Sequence, residues 1–168
     1  KLSLPLPQGI QLLDMTVDSN DNIWLIAKSS DGKYELYELD SNYAVKNCFA
    51  LNDVLQDIEA LQMGAELFMG ADNNGNVAVI MKNMASMCYL FNESGFNFCL
   101  SHNANPMDTM TTAEGNFAIV ATQDGGASCE LLYIDVQNQA WGKTQSLGAV
   151  QSVFSGSGEN SFFVFDSA

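Results

Sequence analysis

Apolar residues along this chain come in short runs of four to seven, many of them alternating with polar ones. Clusters of Asn, Asp, Gly and Ser separate the runs, the pattern of β-strands joined by tight turns. One phrase recurs three times: LDMTVDSNDNIWLIA over Leu13–Ala27, LFMGADNNGNVAVIM over Leu67–Met81, and a shorter DTMTTAEGNFAIVA over Asp108–Ala121. Each copy predicts a strand, a hairpin turn and a second strand. A third strand carrying a tyrosine follows each copy, over Tyr34–Asp40, Met87–Asn92 and Glu130–Asp135, with Tyr37, Tyr89 and Tyr133 in matching places. A fourth follows over Ala44–Leu51, Phe96–Leu100 and Trp141–Leu147. Four short antiparallel strands in a unit of about 40–50 residues describe one propeller blade.

The predicted fold class is therefore all-β and β-propeller-like, with three to four blades of four-stranded antiparallel sheets. Residues 1–168 form one domain, with repeats at approximately 10–51, 61–102 and 106–148 and an incomplete fourth at 151–168. Helical periodicity is confined to Leu51–Met63, where Leu51, Leu55, Ile58 and Leu61 share a face and Asn52 or Asp53 is the expected cap. That segment explains why Asn22 and Asn76 stand 54 residues apart, whereas Asn76 and Asn116 stand 40 apart. Three and a half blades do not close a ring unaided. Lys1–Leu6 could supply a closing strand, or two chains could share a ring of seven or eight blades through open edges. The preferred reading is a piece of a longer propeller.

Charge narrows the partners. Twenty acidic residues face six lysines and no arginine, a net charge of −14, which disfavours nucleic acid and anionic membrane surfaces. A protein, peptide or carbohydrate ligand remains open, with a homodimer through the blade edges. No run approaches the roughly 18 apolar residues of a membrane-spanning helix, so no membrane insertion is expected. Lys1 opens directly into LSLPLP, which reads as an internal start without a signal segment. Cys48, Cys88, Cys99 and Cys129 include no C-x-x-C pair, and His102 is the one histidine, so no metal site is expected. Cys88 and Cys99 fall on consecutive strands and could face each other. The expectation for all four is buried or half-buried free thiols among apolar neighbours.

The most suggestive polar pattern is Asp18-x-Asn20-x-Asn22, repeated at Asp72, Asn74 and Asn76. Alternating oxygen ligands open calcium loops, but the twelfth places are Ser29 and Asn83, not a bidentate Glu. A hairpin turn is the stronger reading. Asp14, Glu66 and Asp108 lie near strand starts and could gather at a central channel, where acid–base work would need two carboxylates with separated pKa values. Water-facing carboxylates are the plainer expectation. His102 reads as a solvated loop residue. Gly125-Gly126 and Gly156-Ser-Gly158 read as hairpin turns with no helix N-terminus for phosphate. Trp24, Tyr37, Phe68, Tyr89, Tyr133, Trp141, Phe162 and Phe163 read as blade packing. Met63, Met69, Met81, Met84, Met87, Met107 and Met110 read as core filler. No catalytic, metal or cofactor residue is assigned, and the ligand-binding residues are unknown.

The phrase pattern resembles NHL-type and related bacterial propeller repeats. Four segments also arrive in a familiar order: Leu4–Ile10, Met15–Trp24, Leu36–Asp40, and Ser155–Asn160 before Phe162–Phe165. Together they resemble the N-terminal β-propeller region of extracellular solute-binding lipoproteins of Gram-positive anaerobes. Neither the solute-binding domain nor a lipobox cysteine stands in this sequence. The resemblance implies a non-catalytic, extracellular or cell-surface binding and scaffolding module, accessory to ABC-type solute uptake, and carries no binding residues over. Two alternatives stay open. One is a propeller lyase or hydrolase with a metal or carboxylate site in its channel. The other is an intracellular protein-interaction propeller, favoured by unpaired cysteines.

Overall fold

The computed structural model describes residues 5–82, 86–112, 114–123, 128–148, 152–155 and 162–165. Within them the chain is all-β, with three four-stranded antiparallel sheets, each a meander in chain order. The first sheet holds β1 (Gln11–Val17), β2 (Ile23–Lys28), β3 (Tyr34–Leu39) and β4 (Val45–Ala50). A 3-10 turn at Leu51–Asp53 and α1 (Ile58–Gln62) lead to β5 (Glu66–Ala71), β6 (Val77–Lys82), β7 (Ser86–Asn92) and β8 (Gly95–His102). The third sheet holds β9 (Asn105–Thr111), β10 (Phe117–Gln123), β11 (Ser128–Asp135) and β12 (Ala140–Gly148). A two-stranded sheet of β13 (Ser152–Ser155) and β14 (Phe162–Phe165) follows. The sheets are blade-like, and none closes into a barrel.

The recurring polar phrase builds the hairpin inside each sheet. Asp18 Oδ1 accepts the N–H groups of Asn20 (2.8 Å) and Asn22 (3.0 Å), and Asp72 Oδ1 accepts those of Asn74 and Asn76, both at 2.8 Å. In the third sheet the Thr112 hydroxyl does the same work alone, accepting the Asn116 N–H at 3.2 Å. The turn is thus locked by a side-chain oxygen placed ahead of a left-handed residue, Gly75 at φ +80° and Gly115 at φ +78°. Asp21 takes the same conformation at φ 60° without being glycine.

Central strands β2, β6 and β10 are apolar on both faces: a neighbouring sheet covers each side of β6, whereas Leu6 and Ile10 pack on the outer face of β2. Between the first and second sheets lie Trp24, Ile26, Leu36, Val79, Tyr89 and Phe91. Between the second and third lie Ala78, Ile80, Leu90, Phe117, Ile119 and Leu132. The second contact is close. A Cβ placed on Gly70 of β5 would sit 2.5 Å from both Phe117 Cε2 and Thr109 Oγ1 and 2.8 Å from Thr109 Cβ. Gly70→Ala therefore forces β5 and β9 apart and should cost about 2 kcal/mol, read as a lower urea midpoint at unchanged m-value.

Several sequence expectations change in detail. The helical segment between the first two repeats is present, but its cap is Asp57, whose side chain accepts the Ala60 N–H. Asn52 instead accepts the Tyr34 N–H at 2.6 Å. Tyr37 and Tyr89 do share a register, opposite Leu25 and Val79. Tyr133 lies opposite Ala118, so Leu132 takes the matching place and Tyr133 points to the other face. Cys88 pairs in register with Leu100 and Cys99 with Tyr89. The two thiols therefore occupy opposite faces and do not meet. All four cysteines are free, Cys88 and Cys129 buried, Cys99 half-buried and Cys48 exposed on β4. Met63 is 82% exposed rather than core. Gly125-Gly126, Gly156-Ser-Gly158 and Met84, with the side chains of Phe162 and Phe163, lie outside what is described.

Candidate functional site: the groove along the inner strands

β1, β5 and β9 are the first strands of their sheets, hydrogen-bonded to a neighbour on one side only. They run next to one another, β1 against β5 and β5 against β9, and line a groove of about 990 Å³. Asp14, Met15, Glu66, Phe68, Asp108 and Met110 are among its lining residues. Asp14, Glu66 and Asp108, for which the sequence left a shared channel open beside the plainer water-facing reading, all line this one groove.

What the carboxylates do there is structural. An edge strand presents unpaired backbone groups, and the flanking sheets supply partners for those of β5. Asp14 Oδ2 accepts the Met69 N–H at 2.8 Å. Thr109 Oγ1 donates to the Met69 carbonyl at 3.1 Å, and Thr111 Oγ1 to the Ala71 carbonyl at 2.6 Å. Asp14 and Asp108 both follow a β-bulge, at Leu13 and Met107, and each accepts the next residue's N–H at 2.8 Å, from Met15 and Thr109. Phe68 holds the corresponding register in β5, where there is no bulge. Glu66 pairs instead with Lys82 across the β5–β6 ladder, 3.7 Å away.

The turns at one end of the groove are joined in sequence. Ser19 Oγ donates to the Asn73 carbonyl and the Asn73 N–H to the Gly115 carbonyl, both at 2.9 Å. Asp18 and Asp72 spend their oxygens on their own turns. Asp18 Oδ2 also accepts the buried Trp24 indole N–H and the Asn22 side chain, both at 3.0 Å. Burial pushes the Asp18 carboxyl up, but those bonds and the turn N–H groups outweigh it and hold it below its ordinary value. Among the described residues no group of three or more His, Cys, Asp or Glu is placed to hold a metal ion, and no helix is long and apolar enough to cross a membrane.

His102 closes β8 rather than sitting in a loop. Its Nδ1 accepts the Ala104 N–H at 3.1 Å, and its ring meets Trp141 edge-on at 5.3 Å. Trp141 in turn donates its indole N–H to the Ser101 carbonyl at 2.8 Å, tying the third sheet to the second. Burial holds the thiols of Cys88, Cys99 and Cys129 protonated, with Cys99 pushed up to about 11 and the other two also raised. That is the reverse of an activated nucleophile.

One polar cluster was missed by sequence reasoning. Glu38 of β3 is 1% exposed. It accepts from Lys46 Nζ at 2.5 Å and from Asn47 Nδ2 at 2.6 Å. Lys46 also reaches Asn22 Oδ1 at 3.4 Å, and its bond to Glu38 raises its pKa. The available signal was the second glutamate of β3, set between Tyr37 and Leu39, with Lys and Asn eight and nine residues on in the next strand.

No family model matches the chain, and no curated protein matches it. Among solved structures it is similar to a protein of unknown function from Bacteroides caccae, with a TM-score of 0.57 and 11% identity. The match covers 89% of this chain and 54% of that one. The chain thus spans about half the length of that protein, and the likeness is one of fold alone.

Proposed function

We propose that this chain is a non-catalytic binding and scaffolding module whose ligand, a protein, peptide or carbohydrate segment, lies in the groove along β1, β5 and β9. The observation that carries the reading is the use of Asp14: one carboxylate holds N–H groups on two strands, a mooring role that leaves the groove wall preformed. Half-buried Met107 and Met110 and exposed Met15 give that wall adaptable apolar surface. The resemblance to the propeller region of solute-binding lipoproteins supports placing the module on a bacterial cell surface, in the service of solute uptake.

Methionine-methyl NMR tests this. Titration with a panel of peptides and oligosaccharides should move the Met15, Met107 and Met110 signals and leave that of exposed Met63 unchanged. The lyase or hydrolase alternative predicts turnover of such compounds that Asp108→Asn abolishes in a protein of unchanged fold. Observing that would overturn the binding reading.

An intracellular interaction module is the second reading, favoured by four free thiols of which Cys88 and Cys99 lie on opposite faces. Thiol titration of the natively produced protein decides between compartments. Four titratable thiols support the intracellular reading, and two disulfides support export.

A further inference from the structure

We infer that the ligand of the groove along β1, β5 and β9 is an extended acidic peptide, with a carboxylate held by Lys28 and Lys82 at the end where β1 and β5 begin. The inference rests on reading that groove as a binding site. Lys28 closes β2 opposite Gln11, and Lys82 closes β6 opposite Glu66. The two lysines therefore hold equivalent places in adjacent sheets, and both line the groove. The third sheet has Thr122 at that place, opposite Asn105, so the cationic end belongs to the first two sheets.

Cations are scarce in this chain, six lysines against twenty acidic residues and no arginine, and two of the six stand here. Lys33 and Lys46 are spent on the chain's own carboxylates, Asp31 at 2.8 Å and Glu38 at 2.5 Å. Lys28 makes no ion pair among the described residues. Its ammonium lies 5.1 Å from the centroid of the Tyr34 ring, a contact that orients the charge without neutralising it. Tyr34 is buried and its N–H is bound by Asn52, so the ring is a fixed platform. Lys82 reaches Glu66 only at 3.7 Å, and the Glu66 side chain is 72% exposed. Such a solvated pair is worth little, and a ligand carboxylate can share or replace it. The net charge of −14 does not forbid this, because distant exposed charges are screened beyond about 8 Å at physiological salt. It limits the ligand to a few carboxylates rather than a polyanion.

The rest of the wall selects a peptide over a sugar. A sugar ring stacks on an exposed aromatic face, whereas the groove's Tyr34 is buried and its Phe68 half-buried. Its adaptable apolar surface comes from methionines, which mould to side chains of varied shape. β1 and β5 are each hydrogen-bonded on one side only, and an extended peptide can meet an open strand edge with its own backbone groups. Asp14 and Asp108 lie three residues past Gln11 and Asn105, farther along the same groove. They set the direction: the ligand's carboxylate lies at the lysine end, and uncharged or basic residues lie beside the two aspartates.

Affinity selection on the intact chain tests this, with two synthetic libraries of random nonapeptides, one with free C-termini and one amidated, read by mass spectrometry. Recovered peptides should carry a carboxylate toward one end. Enrichment of Asp or Glu in both libraries assigns it to a side chain; capture from the free-acid library alone assigns it to the C-terminus. Lys28→Gln combined with Lys82→Gln should weaken the best peptide about tenfold with the circular dichroism spectrum retained. Lys33→Gln, outside the groove, should leave its affinity unchanged. Peptides recovered with neither preference, or bound equally by the double variant, overturn the inference and leave the groove a binding site. No capture from either library also overturns it, and methionine-methyl shifts on adding oligogalacturonate would then give the groove to an acidic carbohydrate.

Discussion

Lys46→Met will lower the unfolding free energy by about 3 kcal/mol, and Glu38→Leu added to it will restore most of the loss. Removing one partner of a buried ion pair strands the other charge, whereas replacing both by apolar groups is often neutral or stabilising. Here Glu38 is the stranded group. Its carboxylate is 1% exposed and would keep only the Asn47 amide. The Lys46 side chain is 35% exposed, which holds the expected cost near the lower end of the range for buried pairs. The second sheet supplies a precedent for an apolar residue in the place of Glu38. Leu90 stands opposite Ala78 as Glu38 stands opposite Trp24, and Phe98 stands opposite Leu90 as Asn47 stands opposite Glu38. Leu90 and Phe98 are buried at 1% and 8% exposure. Urea unfolding of the wild type and both variants checks the argument. Equal loss in the single and double variants would mean that Lys46 contributes through its aliphatic stem rather than its charge.

The contrast between those two sheets marks where sequence reading succeeds. The strands, their meander order and the hairpin turns were legible because each depends on neighbours a few residues apart: Asp18 and Asp72 bond within their own loops. Register is a longer-range property. Nothing local distinguishes Tyr133 from Tyr37 and Tyr89, yet a shift of one residue sends it to the other face. The bulges at Leu13 and Met107 were equally hidden, and they are what bring Asp14 and Asp108 into their bonds with following N–H groups. Of the candidate site, the gathering of Asp14, Glu66 and Asp108 along one groove could be anticipated. The mooring of Met69 by Asp14 could not, since those residues are 55 apart in the chain. Glu38 and Lys46 escaped for a related reason: Lys46 lies on the outermost strand of its sheet, where a lysine looks like an ordinary surface residue.

Asp18→Asn should cost more than Asp72→Asn, by about 2 kcal/mol, although the two aspartates open the same repeated phrase. Both close their turns through Oδ1, and the third sheet shows that a threonine hydroxyl suffices for that. The difference lies at Oδ2. In the second sheet it accepts the Asn76 amide at 2.7 Å; in the first it accepts the Asn22 amide and the indole N–H of Trp24, which is 0% exposed. An Asn side chain that keeps its oxygen on the turn points its own N–H₂ at these donors, and the indole is left unpaired in the core. A buried unsatisfied donor costs about 1–3 kcal/mol, and at the second sheet Ala78 holds the corresponding register, with no such donor to strand. The acid limb gives an independent check. Asp18 is held below its ordinary value of 3.8 in the folded protein, so the unfolded chain binds more protons than the folded one in that range, and stability rises with pH there. The contribution is fully present above the unfolded value and is lost as pH falls through the folded one. Asp18→Asn removes this titration, so its stability should fall less steeply than the wild type's below about pH 4. Parallel acid limbs for the two proteins would show that the carboxylate's charge plays no part in holding Trp24.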